Sequence, residues 1–116
     1  MNSVVNVRTY FWTSPNALQS MLDVDRLIHE PARLIILSIL YVLESADFLY
    51  LLRETGLGKG NLSSHLTRLE QAEYITIEKT YRGKTPMTIC QLTGAGQAAF
   101  ETYREQLKNV VDTMYK

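Results

Sequence analysis

The stretch DFLYLLRETGLGKGNLSSHLTRLEQAEYITIEKTYRGKTPMTICQL, residues 47–92, decides the fold of this chain. The order of its parts predicts a short helix, a tight turn, a second helix and two strands around a basic tip. Residues 48–55 form the first of these helices, and Ser45 or Asp47 can cap it. Gly56 follows as the left-handed residue that ends the helix. The pattern therefore predicts a helix-turn-helix directly before a hairpin.

The second helix is predicted from about residue 59 to residue 72. Leu62, Leu66 and Leu69 recur at the spacing i, i+4, i+7, which is typical of a face directed into a core. The opposite side lacks the Glu and Lys residues that favour an ordinary solvated helix. It carries short polar residues and one arginine instead: Gly60, Asn61, Ser63, Ser64, Thr67 and Arg68. Such a face suits close approach to another surface.

The hairpin and the helix after it also follow from spacing. Residues 74–81 alternate between apolar and polar side chains, residues 82–86 form a turn, and residues 87–92 return as a second strand. Thr93 then caps a long C-terminal helix, predicted over residues 93–116. Its apolar residues are spaced three and four apart, as in a heptad seam. They are Phe100, Tyr103, Leu107, Val110 and Met114.

Two further helices are predicted before this stretch, each with proline at its first position. One begins at Ser14-Pro15 and the other at Glu30-Pro31. The second contains ARLIILSILYVL, which is apolar almost all round and predicts a helix buried on several sides. Residues 1–14 carry aromatic and β-branched side chains. This pattern fits either a short strand or an arm that packs on a partner.

Composition favours a single domain, residues 1–116. The chain has 116 residues, of which 46% are hydrophobic and 21% charged, as in ordinary soluble proteins. No signal segment is evident, and no apolar run reaches the roughly 18 residues that span a membrane. The one cysteine, Cys90, excludes an internal disulfide. A cytoplasmic location is expected.

The charge balance is neutral overall but positive in two places. Twelve basic residues match twelve acidic ones. Between residues 56 and 69 the only charges are Lys59 and Arg68, and between residues 79 and 92 they are Lys79, Arg82 and Lys84. Positive charge therefore lies on the second helix and on the hairpin, the two elements that would touch a nucleic acid.

A major groove about 12 Å wide admits one helix and presents a full donor and acceptor code. Asn61 suits adenine, Arg68 suits guanine or a phosphate, and the short hydroxyl side chains suit either. Lys59 lies near a helix N-terminus, where unpaired amides favour phosphate, and the hairpin tip suits the minor groove. The predicted contacts are Lys59, Asn61, Ser63, Ser64, His65, Thr67, Arg68, Arg82 and Lys84.

Each of these features also has a purely structural interpretation. The polar helix face also fits a solvated surface, and two charges beside Gly83 also fit a solvated turn. The heptad seam also fits packing within one chain, against the N-terminal helix. Neither His29 nor His65 has a zinc-ligand spacing, so no metal is expected. No cofactor motif, nucleophile-base pair or carboxylate pair appears, so no enzyme activity is expected.

The region from residue 27 to about residue 103 resembles the winged helix-turn-helix fold. The matching stretches are LIHEPARLIILSIL, DFLYLLRETGLGKGNLSSHLTRLEQAEYI, IEKTYRGKTPMT and QLTGAGQAAFETY. They are similar to small bacterial and archaeal winged helix DNA-binding transcriptional regulators, relatives of the MarR and ArsR families. The resemblance implies a winged helix-turn-helix core at residues 27–92, in which residues 59–72 are the recognition helix and residues 81–88 the wing. It also implies dimerisation through the terminal helices.

These observations predict a mainly α fold with a small β-hairpin wing, in a homodimer that binds double-stranded DNA and regulates transcription. Two positions depart from the family pattern. Gly58 stands where a capping Ser or Thr is common, and Glu73 stands where Gly is common. A protein–protein interaction module on the same fold is the alternative function. A small-molecule effector between the dimer helices is also compatible with the pattern, but no residue identifies it.

Overall fold

The computed structural model describes residues 18–114. The arm at residues 1–14 and the helix start at Ser14-Pro15 lie outside the described residues. Two compact units are present, one made of residues 25–100 and the other of the residues before 25 and after 100. They are described separately below.

Residues 25–100 form the winged helix-turn-helix, and the predicted fold class is confirmed. Three antiparallel strands in the order β1-β3-β2 accompany the helices. The pairing of a third strand with the hairpin was not predicted from the sequence. The elements in chain order are α1 (Pro31–Leu43), β1 (Ser45–Asp47), α2 (Phe48–Thr55), α3 (Lys59–Gln71), β2 (Ile75–Arg82), β3 (Thr85–Leu92) and α4 (Gly94–Met114).

Helix α1 begins as the sequence predicts, but only one of its sides is buried. Pro31 occupies the first helical position after the N-cap Glu30. Arg33, Ile36, Leu37 and Leu40 are buried along one face. Ile35 and Val42 remain 46% and 78% exposed. The prediction of a helix covered on several sides is therefore wrong, since hydrophobic content alone does not show how many neighbours a helix has.

The helix-turn-helix is confirmed close to its predicted bounds. The Asp47 side chain accepts a hydrogen bond of 2.7 Å from the backbone N–H of Tyr50 and so caps α2. Gly56 ends α2 in the left-handed region at φ 72°. The three leucines of α3 that the spacing assigned to the core are buried. Their burial turns the polar side of α3 outward.

The hairpin is long because its two strands pair over eight residues each, from Ile75 opposite Leu92 to Arg82 opposite Thr85. Ile75 and Cys90 are buried at its base. Strand β1 pairs only with residues 89–91 of β3. The outer half of the hairpin therefore projects beyond the sheet as a wing.

The start of α4 is tied to the turn between α3 and β2. The Thr93 hydroxyl accepts a hydrogen bond from Gly96 N–H at 2.9 Å and donates to the Glu73 carbonyl at 2.7 Å. A Cβ atom at Gly96 would lie 2.1 Å from the carbonyl oxygen of Tyr74, so no larger residue fits. Glu73 itself has φ 65°, a conformation that glycine adopts without strain. The family's preference for glycine there has this physical reason.

The second unit contains a 3-10 helix, Ser20–Asp23, and the later part of α4. Tyr103 and Thr113 are buried on α4, and burial raises the pKa of the Tyr103 hydroxyl. Lys108 forms an exposed ion pair with Asp112 at 3.4 Å. Among residues 18–114, no helix is both long and apolar enough to cross a membrane.

Candidate nucleic-acid interface

The outer face of α3 is a continuous polar surface. A shallow depression runs along it, lined by Gly60, Ser63, Ser64, Thr67, Arg68 and Gln71. All of these residues are exposed, and they repeat at the three- and four-residue spacing of one helix face. Gln71 was not among the predicted contacts, although its position four residues after Thr67 places it on the same face of the helix. Its amide both donates and accepts hydrogen bonds.

The first turn of α3 adds two of the predicted contacts. Lys59 and Asn61 are both exposed, although neither lines the depression. The N-cap Gly58 makes no side-chain hydrogen bond to the helix. The first amides of α3 therefore remain available to an external acceptor such as a phosphate oxygen.

His65 belongs to a different environment from the other predicted contacts. Its Nδ1 atom lies 3.1 Å from Nη1 of Arg33 and 3.4 Å from Oε2 of Glu30. The ring is mostly covered, whereas the depression residues are exposed. The structure therefore does not bring His65 together with the outer face, because the start of α1 binds it.

The polar cluster around His65 joins the start of α1 to α3. Arg33, which sequence reasoning did not single out, is 9% exposed and donates from Nε to the carbonyl of Leu27 at 2.6 Å. Glu30 accepts from the amides of Ala32 and Arg33. Burial by itself raises the pKa of Glu30, but these amides and the charges of His65 and Arg33 outweigh it, and the net pKa is lowered. The cluster fixes α3 from its inner side.

The wing carries both of its predicted cations on its surface. Arg82 closes β2 and Lys84 lies in the turn after Gly83, and all three residues are exposed. Tyr81 is also largely exposed, an aromatic residue that the sequence analysis did not single out. Within residues 18–114, Arg82 and Lys84 form no ion pair, and the same holds for Lys59 and Arg68 on α3. Four cations are therefore available to an anionic partner.

The heptad seam of α4 has uneven exposure. Phe100 is buried in the unit of residues 25–100, where its ring centroid lies 5.0 Å from that of Tyr41. Tyr103 is buried, Leu107 and Val110 are half-buried, and Met114 is 69% exposed. The structure thus places Phe100 in a core within the chain. The dimer seam remains a prediction.

The described residues offer little for metal or covalent chemistry. In residues 18–114, no group of three or more His, Cys, Asp or Glu side chains is arranged to hold a metal ion. Cys90 is buried and free. Burial first, and then the charges of Glu70 and Asp47, raise the pKa of its thiol to about 11. A protonated thiol is a poor nucleophile.

A helix-turn-helix followed by a projecting β-hairpin defines a winged helix protein. The model of the family "Winged helix DNA-binding domain" matches residues 32–111. The chain belongs to this family, and the resemblance found in its sequence is confirmed.

Individual proteins agree with this assignment. An uncharacterised protein of Methanocaldococcus jannaschii is 33% identical over 78 residues, which cover 67% of this chain and 85% of the relative. The structure of a transcriptional regulator homologue from Pyrococcus horikoshii OT3 matches with a TM-score of 0.78 and 25% identity, covering 85% of this chain and 97% of that one. NadR in complex with 4-hydroxyphenylacetate shares the fold, with a TM-score of 0.63, 18% identity and coverage of 97% and 79%.

Proposed function

We propose that this protein is a homodimeric transcriptional regulator that binds specific sequences in double-stranded DNA. Helix α3 enters the major groove, and the wing, residues 81–88, lies on the adjacent backbone or minor groove. The observation that carries the proposal is the exposed polar face of α3, which combines short side chains with one unpaired arginine.

The chemistry of that face supports base recognition. Short side chains let the helix backbone sit deep in the groove, and Arg68 reaches further to a guanine edge or a phosphate. Ser63, Ser64 and Thr67 donate to bases or to phosphate oxygens. Gln71 extends the set with an amide that pairs with adenine. Four unpaired cations on α3 and the wing supply the non-specific attraction.

Dimerisation through α4 completes the proposal. Two copies related by a two-fold axis present two α3 helices to half-sites one helical turn, or a multiple of it, apart. The exposed Met114 and the half-buried Leu107 and Val110 are the seam residues that remain accessible. The net charge of the chain is zero, so the electrostatic attraction of one copy to DNA is modest. Pairing two copies doubles this attraction.

The first experiment selects bound sequences from a random duplex pool and measures affinity for the winner by fluorescence anisotropy. We expect an enriched palindrome. Each phosphate contact adds about −0.9 to the slope of log affinity against log salt. Four cations per protomer in a dimer therefore give a slope of at most about −7. Absence of duplex binding at low salt would refute the proposal.

Arg68→Ala tests the contact with the largest expected contribution. We expect a loss of about 1–3 kcal/mol in binding, confined to one position of the site if the arginine reads a base. Lys108→Ala is the control, because it removes an exposed cation from α4 that already pairs with Asp112. Equal losses in the two variants would mean that charge, and not the α3 face, determines binding.

Val110→Asp tests the seam. A charge in an apolar helix-helix contact is costly, so we expect light scattering to report monomers and operator affinity to fall. Circular dichroism controls for folding, because Val110 is half-buried within the chain. A folded variant that still dimerises would show that the two copies meet elsewhere.

The exposed apolar side of α1 favours a second candidate, a protein–protein interaction module. Ile35 and Val42 lie seven residues, or about two helical turns, apart on the same exposed side, and Leu43 is exposed beside them. Under this function, a pull-down recovers a protein partner, Val42→Lys abolishes it, and Arg68→Ala leaves it intact. Duplex binding with no such partner would dismiss this candidate.

A small-molecule effector is part of the proposal for regulation. The complex of NadR with 4-hydroxyphenylacetate shows that a protein with this fold binds a small organic acid. We expect this chain to respond to a ligand of its own, read as a shift in operator affinity. Screening small acids by their effect on anisotropy tests the expectation, and a uniformly negative screen counts against it.

A further inference from the structure

The imidazole ring of His65 is held through one of its two nitrogens. Its Nδ1 atom lies 3.1 Å from Nη1 of Arg33 and 3.4 Å from Oε2 of Glu30, both at the start of α1. Among residues 18–114, its other nitrogen, Nε2, forms no hydrogen bond. The side chain keeps 22% of its surface exposed. Because the two nitrogens lie on different sides of the ring, this arrangement leaves Nε2 available to another molecule.

The contact with Arg33 decides which nitrogen of His65 carries the proton. A guanidinium only donates hydrogen bonds and has no acceptor. At 3.1 Å, Nη1 of Arg33 therefore donates and Nδ1 of His65 accepts, so Nδ1 carries no proton. A neutral imidazole has one N–H group, which must then be at Nε2. Arg33 thus makes Nε2 of His65 a hydrogen-bond donor.

Glu30 favours the opposite arrangement, in which Nδ1 of His65 carries the proton and donates it. Its Oε2 atom lies farther from Nδ1 than Nη1 of Arg33 does. The same oxygen already accepts from the backbone N–H of Arg33 at 3.2 Å and lies 3.5 Å from Nη1 of that residue. Arg33 therefore occupies the carboxylate. Without Arg33, Nδ1–H would donate to Glu30, and Nε2 would become an acceptor.

His65 lies on the side of α3 that also carries Asn61 and Arg68. The three residues are spaced i, i+4 and i+7, so they form one row along the helix, between the buried leucines and the depression. Asn61 and Arg68 are exposed, and both are expected DNA contacts. The partly covered His65 therefore stands at the edge of the outer face, next to the backbone of a groove that α3 enters. Phosphate oxygens accept hydrogen bonds, so an N–H at Nε2 suits them.

We propose that Arg33 is a positioning residue for DNA binding. It holds His65 with its proton on Nε2, and this N–H donates to a phosphate oxygen beside α3. The inference rests on the proposed function, to which it adds one backbone contact and the buried residue that sets the direction of the hydrogen bond. The donating ring is neutral, so the contact displaces no counterion and stabilises binding to every sequence alike.

The first test locates the proton in the free chain at about pH 8.5, above the range in which histidine usually titrates. The chain has two histidines, His29 and His65. Long-range ¹H–¹⁵N spectra of the full chain labelled with ¹⁵N-histidine, assigned with His29→Gln, distinguish protonated from unprotonated ring nitrogens. We expect His65 to carry its proton on Nε2. A proton on Nδ1, or a mixture of the two forms, would overturn the inference.

Two substitutions of Arg33 test its control of the ring. Arg33→Met removes the donor, so we expect the proton of His65 to move to Nδ1, against Glu30. Operator affinity should then fall at least about tenfold, the effect of losing a hydrogen bond to a charged group. Arg33→Lys keeps a cationic donor and should retain both the Nε2–H form and the native affinity. Circular dichroism controls for folding, and equal spectra of His65 in the two variants would overturn the role of Arg33.

A matched pair of variants at His65 tests the contact without changing Arg33. The amide nitrogen of glutamine reaches the position of Nε2, whereas the shorter asparagine reaches only the position of Nδ1. We expect His65→Asn to lower operator affinity at least about tenfold and His65→Gln to retain most of it. Urea titration confirms that both variants are folded. Equal affinities of the two variants would overturn the contact.

The salt dependence tests whether the donating ring is neutral. Loss of a neutral contact leaves the slope of log affinity against log salt unchanged, whereas loss of a cation reduces it by about 0.9. We expect His65→Asn to have the native slope and to lose affinity equally for all operator sequences. A reduced slope would overturn the neutral donor. A loss confined to one position of the operator would show that His65 reads a base, and would overturn the phosphate contact.

The outcomes separate this inference from the proposed function. Absence of duplex binding by the native chain would overturn the proposed function, and the DNA contact of His65 with it. Operator binding by the native chain, together with equally tight binding by His65→Asn, would overturn the contact alone and leave the proposed function standing.

Discussion

Helices α1 and α3 have the same length, 13 residues each, and opposite outer faces. Their inner faces are alike, with Ile36, Leu37 and Leu40 of α1 and three leucines of α3 buried in the same unit. Outward, α1 presents Ile35 and Val42, while α3 presents glycine, serines and threonine. The inner faces hold the fold together, and the outer faces are free to differ.

The requirements of stability alone do not explain the residues on the outer face of α3. Gly60, Asn61, Ser63, Ser64 and Thr67 are all poor helix formers, and glycine in a helix costs about 1 kcal/mol relative to alanine. A surface selected only for stability would carry alanine, glutamate or lysine there. The residues on the outer face of α3 therefore lower the stability of the helix, but they provide the short hydrogen-bonding side chains that a groove-binding surface requires. On the outer side of α1 the one such residue, Ser38, is half-buried and donates its hydroxyl to the carbonyl of Leu34 within the same helix at 2.7 Å.

The largest expected effect concerns the inner faces and should be equal in both helices. Leu66→Ala in α3 and Ile36→Ala in α1 each remove a large side chain from a fully or almost fully buried position. We expect each to lower the free energy of unfolding by about 2–5 kcal/mol, the transfer and cavity cost of such changes. Urea titration measures both. A large loss in only one helix would break the equivalence of the two inner faces.

A reciprocal exchange on the outer faces tests the contrast itself. Thr67→Val removes one hydroxyl from α3, and Val42→Thr adds one to α1 at an exposed position. Neither should change the free energy of unfolding by more than about 0.5 kcal/mol. Thr67→Val should weaken operator binding by about 0.5–1.5 kcal/mol, the worth of a neutral hydrogen bond, and Val42→Thr should leave it unchanged. An effect of Val42→Thr on DNA affinity would place α1 at the interface.

The smallest effect is expected at the start of α3. Gly58→Ser adds a capping hydroxyl where the helix has none, and its Cβ meets no atom within 4 Å. We expect a gain of a few tenths of a kcal/mol in stability. Thermal unfolding measures it against the native chain. Operator affinity measured in parallel shows whether the open N-terminus of α3 serves phosphate binding, in which case the added hydroxyl lowers affinity.

Much of the fold could be predicted from local signals. The Asp47 cap, Gly56 and the leucine spacing placed α2 and α3 within one residue of their observed bounds, because caps and periodicity act within a few residues of one another. The short strand β1 gave no such signal, since three residues carry no periodicity and pair with a strand more than 40 positions later. The exposed side of α1 was missed for a related reason. The apolar character of a side chain does not show whether another segment of the chain packs against it.

The candidate site, like the fold, was predicted only in part from the sequence. The polar face of α3 and the cations of the wing were predicted from residue type and spacing. The position of His65 was not, because it depends on Arg33 and Glu30, which lie more than 30 residues earlier in the chain.

The sequence by itself determined the order of the helices and of the two hairpin strands, the inward faces of α3 and β2, and the polar composition of the outer face of α3. These follow from capping, helical spacing and strand alternation, which are local properties. Only the tertiary structure decided that α1 keeps an apolar side exposed and that His65 binds the start of α1. Each of these depends on which distant segments meet, because contact between segments, and not local pattern, settles burial and pairing.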